Sequence, residues 1–150
     1  MAKLTINEAA GTLFNYVANV SYIDLQAAGN GGQITIATLP AGSGVISCVV
    51  LEKTAFAGSS SVVVDVGTTG ADPDEFIDAL DVDAMTGPVA NTGDAFVQSA
   101  GTTTIKGGAL PVKLVSSATP VLLEINDSSV ASLTAGELVV ALQVLDFSKF

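Results

Sequence analysis

The run from Glu137 to Phe147, ELVVALQVLDF, constrains the fold more than any other stretch. In a strand, successive side chains point to opposite faces. Leu138, Val140, Leu142 and Val144 then line one face. Val139, Ala141, Leu145 and Phe147 line the other, relieved only by Glu137 and Gln143. A strand apolar on both faces needs cover on both. Val45 to Lys53 repeats the pattern, with Val45, Val49 and Leu51 opposing Ile46, Cys48 and Val50. A chain with few helix signals has little of its own to form a second layer. A neighbouring subunit is the simplest cover, and a symmetric homo-oligomer the default form; cover by the chain's own loops and N-terminal segment is the alternative. Val49, Leu51, Val139, Leu145 and Phe147 are the expected subunit-interface residues.

Shorter runs fill the rest of the β pattern. Val20 to Leu25, Gln33 to Thr38 with Ile34 and Ile36 on one face, and Ser61 to Val66 read as strands. So do Ala95 to Gln98, Thr103 to Lys106, Pro111 to Val115 and Val121 to Asn126. In the last of these, Val121, Leu123 and Ile125 face the core while Leu122, Glu124 and Asn126 face away. Most turns between them carry Gly, Pro, Ser or Asn. Short strands at this spacing predict an all-β antiparallel sandwich with one or two short helices.

Composition narrows the function. The chain is 49% hydrophobic and 13% charged, against about a quarter charged in an ordinary soluble protein. No window resembles a membrane span, and no apolar leader follows Lys3. Net charge is −10, with five lysines and no arginine, so direct nucleic-acid binding is not expected. There is no His, which removes the Ser-His and Cys-His nucleophile systems and His-ligated zinc. Cys48 stands alone in an apolar strand and reads as an inert buried thiol. The chain is expected to be no enzyme and to need no cofactor.

Two segments stand apart. Six of fifteen acids fall between residues 72 and 83: Asp72, Asp74, Glu75, Asp78, Asp81 and Asp83. Such a cluster could bind calcium, but the calcium-loop pattern with its central Gly and terminal Glu is absent. The Asp72-Pro73-Asp74-Glu75 order predicts instead a short helix from Pro73 to about Leu80, with Phe76, Ile77 and Leu80 on its apolar face. No metal is expected there. The second segment is residues 1–19, read as an N-terminal arm or short capping piece ahead of a β domain spanning 20–150. Thr5 and Glu8 have capping-box spacing, and Gly11 would end that helix. Phe14, Tyr16 and Val17 then cluster; they read either as a first strand or coil packed on the core or as an arm that docks on a partner.

SVVVDVGTTGADPDEFIDALDVD, the opening Met-Ala-Lys and the Gly-, Ala-, Ser- and Thr-rich loops resemble proteins of tailed-phage virions. The likeness is to the small capsid decoration, or cement, proteins, of the trimeric jelly-roll kind found in marine siphophages. It covers about Val20 to Phe147. The resemblance implies a jelly-roll subunit, a homotrimer, the major capsid protein as partner, and a place on the outer capsid surface that stabilises the shell. Phe14, Tyr16 and Val17 are then the candidates for capsid contact. Two other functions fit the same pattern. One is a fibre or receptor-binding head domain that recognises host glycans. The other is a carbohydrate-active enzyme using an acid pair such as Asp81 and Asp83.

Overall fold

The computed structural model describes residues 3–6, 14–95 and 114–149, with residues 3–6 described by their backbone alone. The elements are β1 (Lys3–Ile6), β2 (Tyr16–Ser21), α1 (Tyr22–Ala28), β3 (Gln33–Leu39), β4 (Ser43–Ala57), β5 (Val63–Gly67), β6 (Ile77–Asp81), β7 (Val89–Ala90), β8 (Thr119–Asn126) and β9 (Ala135–Asp146). Three 3-10 turns, Val82–Ala84, Val130–Ser132 and Phe147–Lys149, link or follow them.

The pairing is nested. β5 pairs with β6, β4 with β7, β3 with β8 and β2 with β9, all antiparallel. This is one long hairpin, folded at the β5–β6 turn and then rolled up. Rolling brings β9 against β4 and β8 against β5, which completes two sheets. Their orders are β1-β2-β9-β4-β7 and β3-β8-β5-β6. Strands β2 to β9 form an eight-stranded jelly roll, and β1 adds an edge strand beside β2. The expected all-β jelly-roll-like sandwich is the observed fold.

The core fills the space between the sheets. Leu138, Val140, Leu142 and Val144 of β9 point inward and are buried, as are Val45, Cys48 and Val50 of β4. Val121, Leu123 and Ile125 of β8 and Val64 and Val66 of β5 meet them from the other sheet. The β9 and β8 sets fall on the faces that alternation assigns. In β4 a register shift between Val45 and Ser47 turns Val45 to the inner face with Cys48 and Val50, not to the face of Val49 and Leu51 as expected. Ile34 and Ile36 share the inner face as expected, Ile34 opposite Leu123 and packed on the core, and a register shift between Thr35 and Ala37 adds Ala37 to that face. Burial pushes the Cys48 thiol well above its ordinary range, as an inert core cysteine requires.

Four expectations are corrected. The strand expected from Val20 to Leu25 ends at Ser21, and Tyr22–Ala28 is a helix. Its cap is built from Ser21 and Asp24: Asp24 N–H donates to Ser21 Oγ at 3.4 Å, and Ser21 N–H to Asp24 Oδ2 at 2.9 Å. Thr5, the expected cap of a first helix, lies instead in strand β1 opposite Val17, and residues 7–13, over which most of that helix was expected, lie outside the described residues. The boundary expected at residue 19 passes through β2, so Tyr16 to Asn19 belong to the sheet. The helix expected over Pro73 to Leu80 is a loop leading into strand β6. The strands expected at Thr103 to Lys106 and over most of Ala95 to Gln98 and Pro111 to Val115 lie outside the described residues, and Ala95, Leu114 and Val115 are in no strand.

The fourth correction has a clear cause. The acids cap turns, not a helix. Glu75 Oε2 accepts from the N–H of Thr68 at 2.8 Å and of Thr69 at 3.4 Å, and Oε1 accepts from both threonine hydroxyls. Gly67 lets that carboxylate in, since a Cβ there would sit 1.8 Å from Oε2. Asp65 Oδ1 accepts from Ala79 N–H at 2.5 Å and so holds Ala79 at φ +46, where the β5–β6 register is irregular. Asp81 accepts from Asp83 N–H and from the Ser61 hydroxyl.

Two asparagines extend the five-stranded sheet with their side chains. Asn15 Nδ2 donates to Val144 O at 2.8 Å, and Val144 N–H donates to Asn15 Oδ1 at 2.8 Å. Asn91, at φ +56, accepts from Cys48 N–H on Oδ1 at 2.8 Å while its own N–H donates to Cys48 O at 3.0 Å. Each carboxamide stands in for a missing strand residue, which keeps buried backbone groups satisfied where β2 and β7 end.

Candidate functional site: the outer face of the five-stranded sheet

The register of β2, β9, β4 and β7 brings a row of apolar side chains together on the face turned away from the core. Val17 lies opposite Ala141, Ala141 opposite Val49, and Val49 opposite Ala90. One step along, Asn19, Val139 and Leu51 form a parallel row. Strand spacing of about 4.8 Å makes the first row roughly 14 Å wide. Leu51 is 40% exposed, whereas the inward residues Val50 and Leu138 beside it are fully buried. Val17, Val49, Val139, Ala141 and Leu145 are half-buried. An ion pair borders this face, Lys53 Nζ to Glu137 Oε1 at 2.9 Å.

Of the expected interface residues, Val49, Leu51, Val139 and Leu145 share this face. Phe147 lies past the end of β9 in a 3-10 turn, 44% exposed. The expected contact trio is divided. Val17 joins the apolar row, but Tyr16 alternates to the inner side, lies opposite Leu142 and packs on the core. Phe14, just before β2, is half-buried. Ala90 and Ala141 complete the row and were not singled out by sequence. A two-residue strand such as β7 carries no period, so Ala90 leaves no signal.

The opposite sheet presents a different outer face. Gln33, Glu124 and Asp65 lie in one row, and Gln33 Nε2 donates to Glu124 Oε2 at 2.7 Å. Asn126 Nδ2 donates to Asp65 Oδ2 at 2.6 Å. Burial raises the Asp65 pKa above its ordinary value, aided by the like charges of Asp78 and Glu124, against the hydrogen bonds from Ala79 and Asn126. Glu75 goes the other way. Burial works to raise it, but the hydrogen bonds from Thr69 and Thr68 outweigh burial and hold it below its ordinary value.

The acid pair Asp81 and Asp83 does not form a two-sided catalytic cleft. Asp81 caps the 3-10 turn that carries Asp83. No group of three or more acids or thiols among the described residues is arranged to hold a metal ion.

No family profile and no curated protein matches the sequence. Solved structures do match the fold. A chain of the cyanophage Pam1 capsid asymmetric unit superposes with a TM-score of 0.57 at 15% identity, over 85% of this chain and 79% of that one. A chain of the capsid of Ralstonia phage GP4 superposes with a TM-score of 0.53 at 16% identity, over 96% of this chain and 90% of that one.

Proposed function

We propose that this protein is a structural component of a phage virion: a homotrimeric decoration subunit that binds the outer surface of the capsid and stabilises the shell. The apolar outer face of the five-stranded sheet carries the reading. A soluble sandwich normally turns a polar face to water on each sheet, and the four-stranded sheet does so. A partly exposed face of Val17, Val49, Leu51, Val139 and Ala141 is what association requires. The likeness of the fold to chains of two phage capsids supports the virion as the setting. The trimer and the major capsid protein as partner rest on the resemblance to cement proteins. Such a subunit needs no chemistry. A ligand that binds only the assembled shell stabilises it by mass action, and repeated weak contacts add through effective concentration.

Two measurements test this. Light scattering should give a species of about 45 kDa, three times the 15.0 kDa subunit. Purified protein added to heads that lack it should bind, and should raise the temperature at which those heads release DNA. A stable monomer that leaves heads unchanged overturns the proposal. Location at a tail tip, with glycan binding, would make the receptor-binding reading the better one.

A further inference from the structure

We propose that the groove between the β4 edge and the loop before β7 binds an extended, basic segment of a partner protein. This goes beyond the association face, with which the groove shares Leu51 at its edge. β7 pairs with β4 only at Val49 and Val50, while β4 continues to Ala57. Pro88 precedes β7 and has no N–H to extend the ladder, so the chain leaves the β4 edge there. Two adjoining clefts of about 450 and 300 Å³ open at this point and share Met85, Thr86 and Gly87. Their apolar lining is Leu51, Leu80, Met85, Pro88 and Val89.

The charge of the groove selects its occupant. Glu52 lines one cleft, and Asp78 and Asp81 line the other, with no lysine among the lining residues. Lys53, the cation next in sequence, is held by Glu137. Asp83 stands close by, its pKa raised by burial and then by the negative charges of Asp81, Glu52 and Asp127. Like charges held this close repel one another in the free chain, and a cationic partner relieves that repulsion. A second copy of this chain, with net charge −10, is a poor candidate. A segment alternating Lys or Arg with apolar residues matches both rim and floor, because alternation in an extended chain sends the two kinds of side chain opposite ways.

Met85 gives the readout, being one of only two methionines in the chain. With the methionine methyls labelled, full-length protein is titrated at low salt with a hexapeptide of alternating Lys and Leu. The Met85 resonance should move and saturate, and the matching Glu-Leu peptide should leave it in place. Glu52→Gln should weaken binding roughly three- to fivefold. Asp146→Asn removes the same charge at the far end of β4, opposite Ser43 and about 25–30 Å away, and should change affinity less than about twofold. Gly87→Phe should abolish the shift; a Cβ at Gly87 meets nothing within 4 Å, so the ring has room to fill the groove without disturbing the fold. A still Met85 resonance overturns the proposal. Equal losses from Glu52→Gln and Asp146→Asn also overturn it, since binding would then follow overall charge. Saturation of Met85 by calcium alone would make the groove a cation site instead.

Discussion

The two outer faces of this sandwich are built from the same kind of strand and do opposite things. Across the four-stranded sheet, one row reads Gln33, Glu124, Asp65, with Gln33 hydrogen-bonded to Glu124 and Asp65 to Asn126. Across the five-stranded sheet, the comparable row reads Val17, Ala141, Val49, Ala90. Both rows face away from the core, so folding the subunit does not require the second to be apolar. Under the proposed function, the difference reflects a demand from outside the subunit. A polar row is solvated where it stands. An apolar row keeps exposed hydrocarbon that association can bury, at about 25 cal/mol per Å² removed from water.

A lysine placed on each face is the strongest test of that difference. Val139→Lys sets a charge in the middle of the apolar rows, where an assembled neighbour would desolvate it. It should weaken assembly by about 2–5 kcal/mol, roughly 30- to 5,000-fold, and convert the oligomer to monomer in light scattering. The folded subunit should survive, because Val139 is half-exposed within it. Leu122→Lys, on the outer face of the four-stranded sheet, should leave the assembly intact. If both variants assemble like the parent, the apolar face is not the interface.

The next test works in the reverse direction, changing the fold while sparing assembly. Asp65→Ala removes the acceptor for Ala79 N–H and for Asn126 Nδ2, and leaves Ala79 at a positive φ without support. The cost should be about 2–3 kcal/mol of subunit stability. Asn91→Ala removes the side-chain acceptor for Cys48 N–H and should cost about 1–2 kcal/mol. Chemical denaturation of a monomeric background such as Val139→Lys measures both without interference from assembly. An Asp65→Ala loss under about 0.5 kcal/mol would mean that the bond to Ala79 is not what sets the β6 register.

The contrast between the faces was partly legible in the sequence. Alternation in Glu137 to Phe147 identified both sides of β9, because long apolar strands have a strong period of two. In Val45 to Lys53 it held for β4 only beyond the irregularity between Val45 and Ser47, which turns Val45 inward. The same rule did not place Tyr16 and Val17 on opposite faces of β2, since Phe14, Tyr16 and Val17 read as one cluster of larger side chains in which strand and docking arm were equally open. The Ser21 and Asp24 cap was present in the letters but hidden by the apolar residues around it. The acidic segment misled for a physical reason: Asp72-Pro73-Asp74-Glu75 has the order of a helix start, yet Glu75 caps backbone N–H groups of the preceding turn. The groove was not legible at all. It arises where Leu51 and Met85, far apart in sequence, meet because β7 stops short.

The smallest expected effect separates the two carboxylates that organise the polar side of the molecule. Asp65 has its folded-state pKa raised above 3.8, so the folded protein takes up its proton first. Its contribution to stability is therefore greatest at low pH and falls as pH rises from about 3.8 through the raised value. Glu75 has its folded-state pKa lowered below 4.5, so its contribution is full above 4.5 and is lost as pH falls through the lowered value. Because Glu75 is half-exposed, solvent screening limits its share to about 1 kcal/mol or less, which is about 2–4 °C in Tm for a chain of this length. Thermal melts from pH 7 to pH 3 of the parent, Glu75→Gln and Asp65→Asn resolve the two. The advantage of the parent over Glu75→Gln should shrink below pH 4.5, while its standing against Asp65→Asn should improve as pH falls toward 3.8. Parallel curves for all three proteins would mean that neither carboxylate differs in protonation between the folded and unfolded chain, and that the turn at Thr68 and the bulge at Ala79 are held by backbone geometry alone.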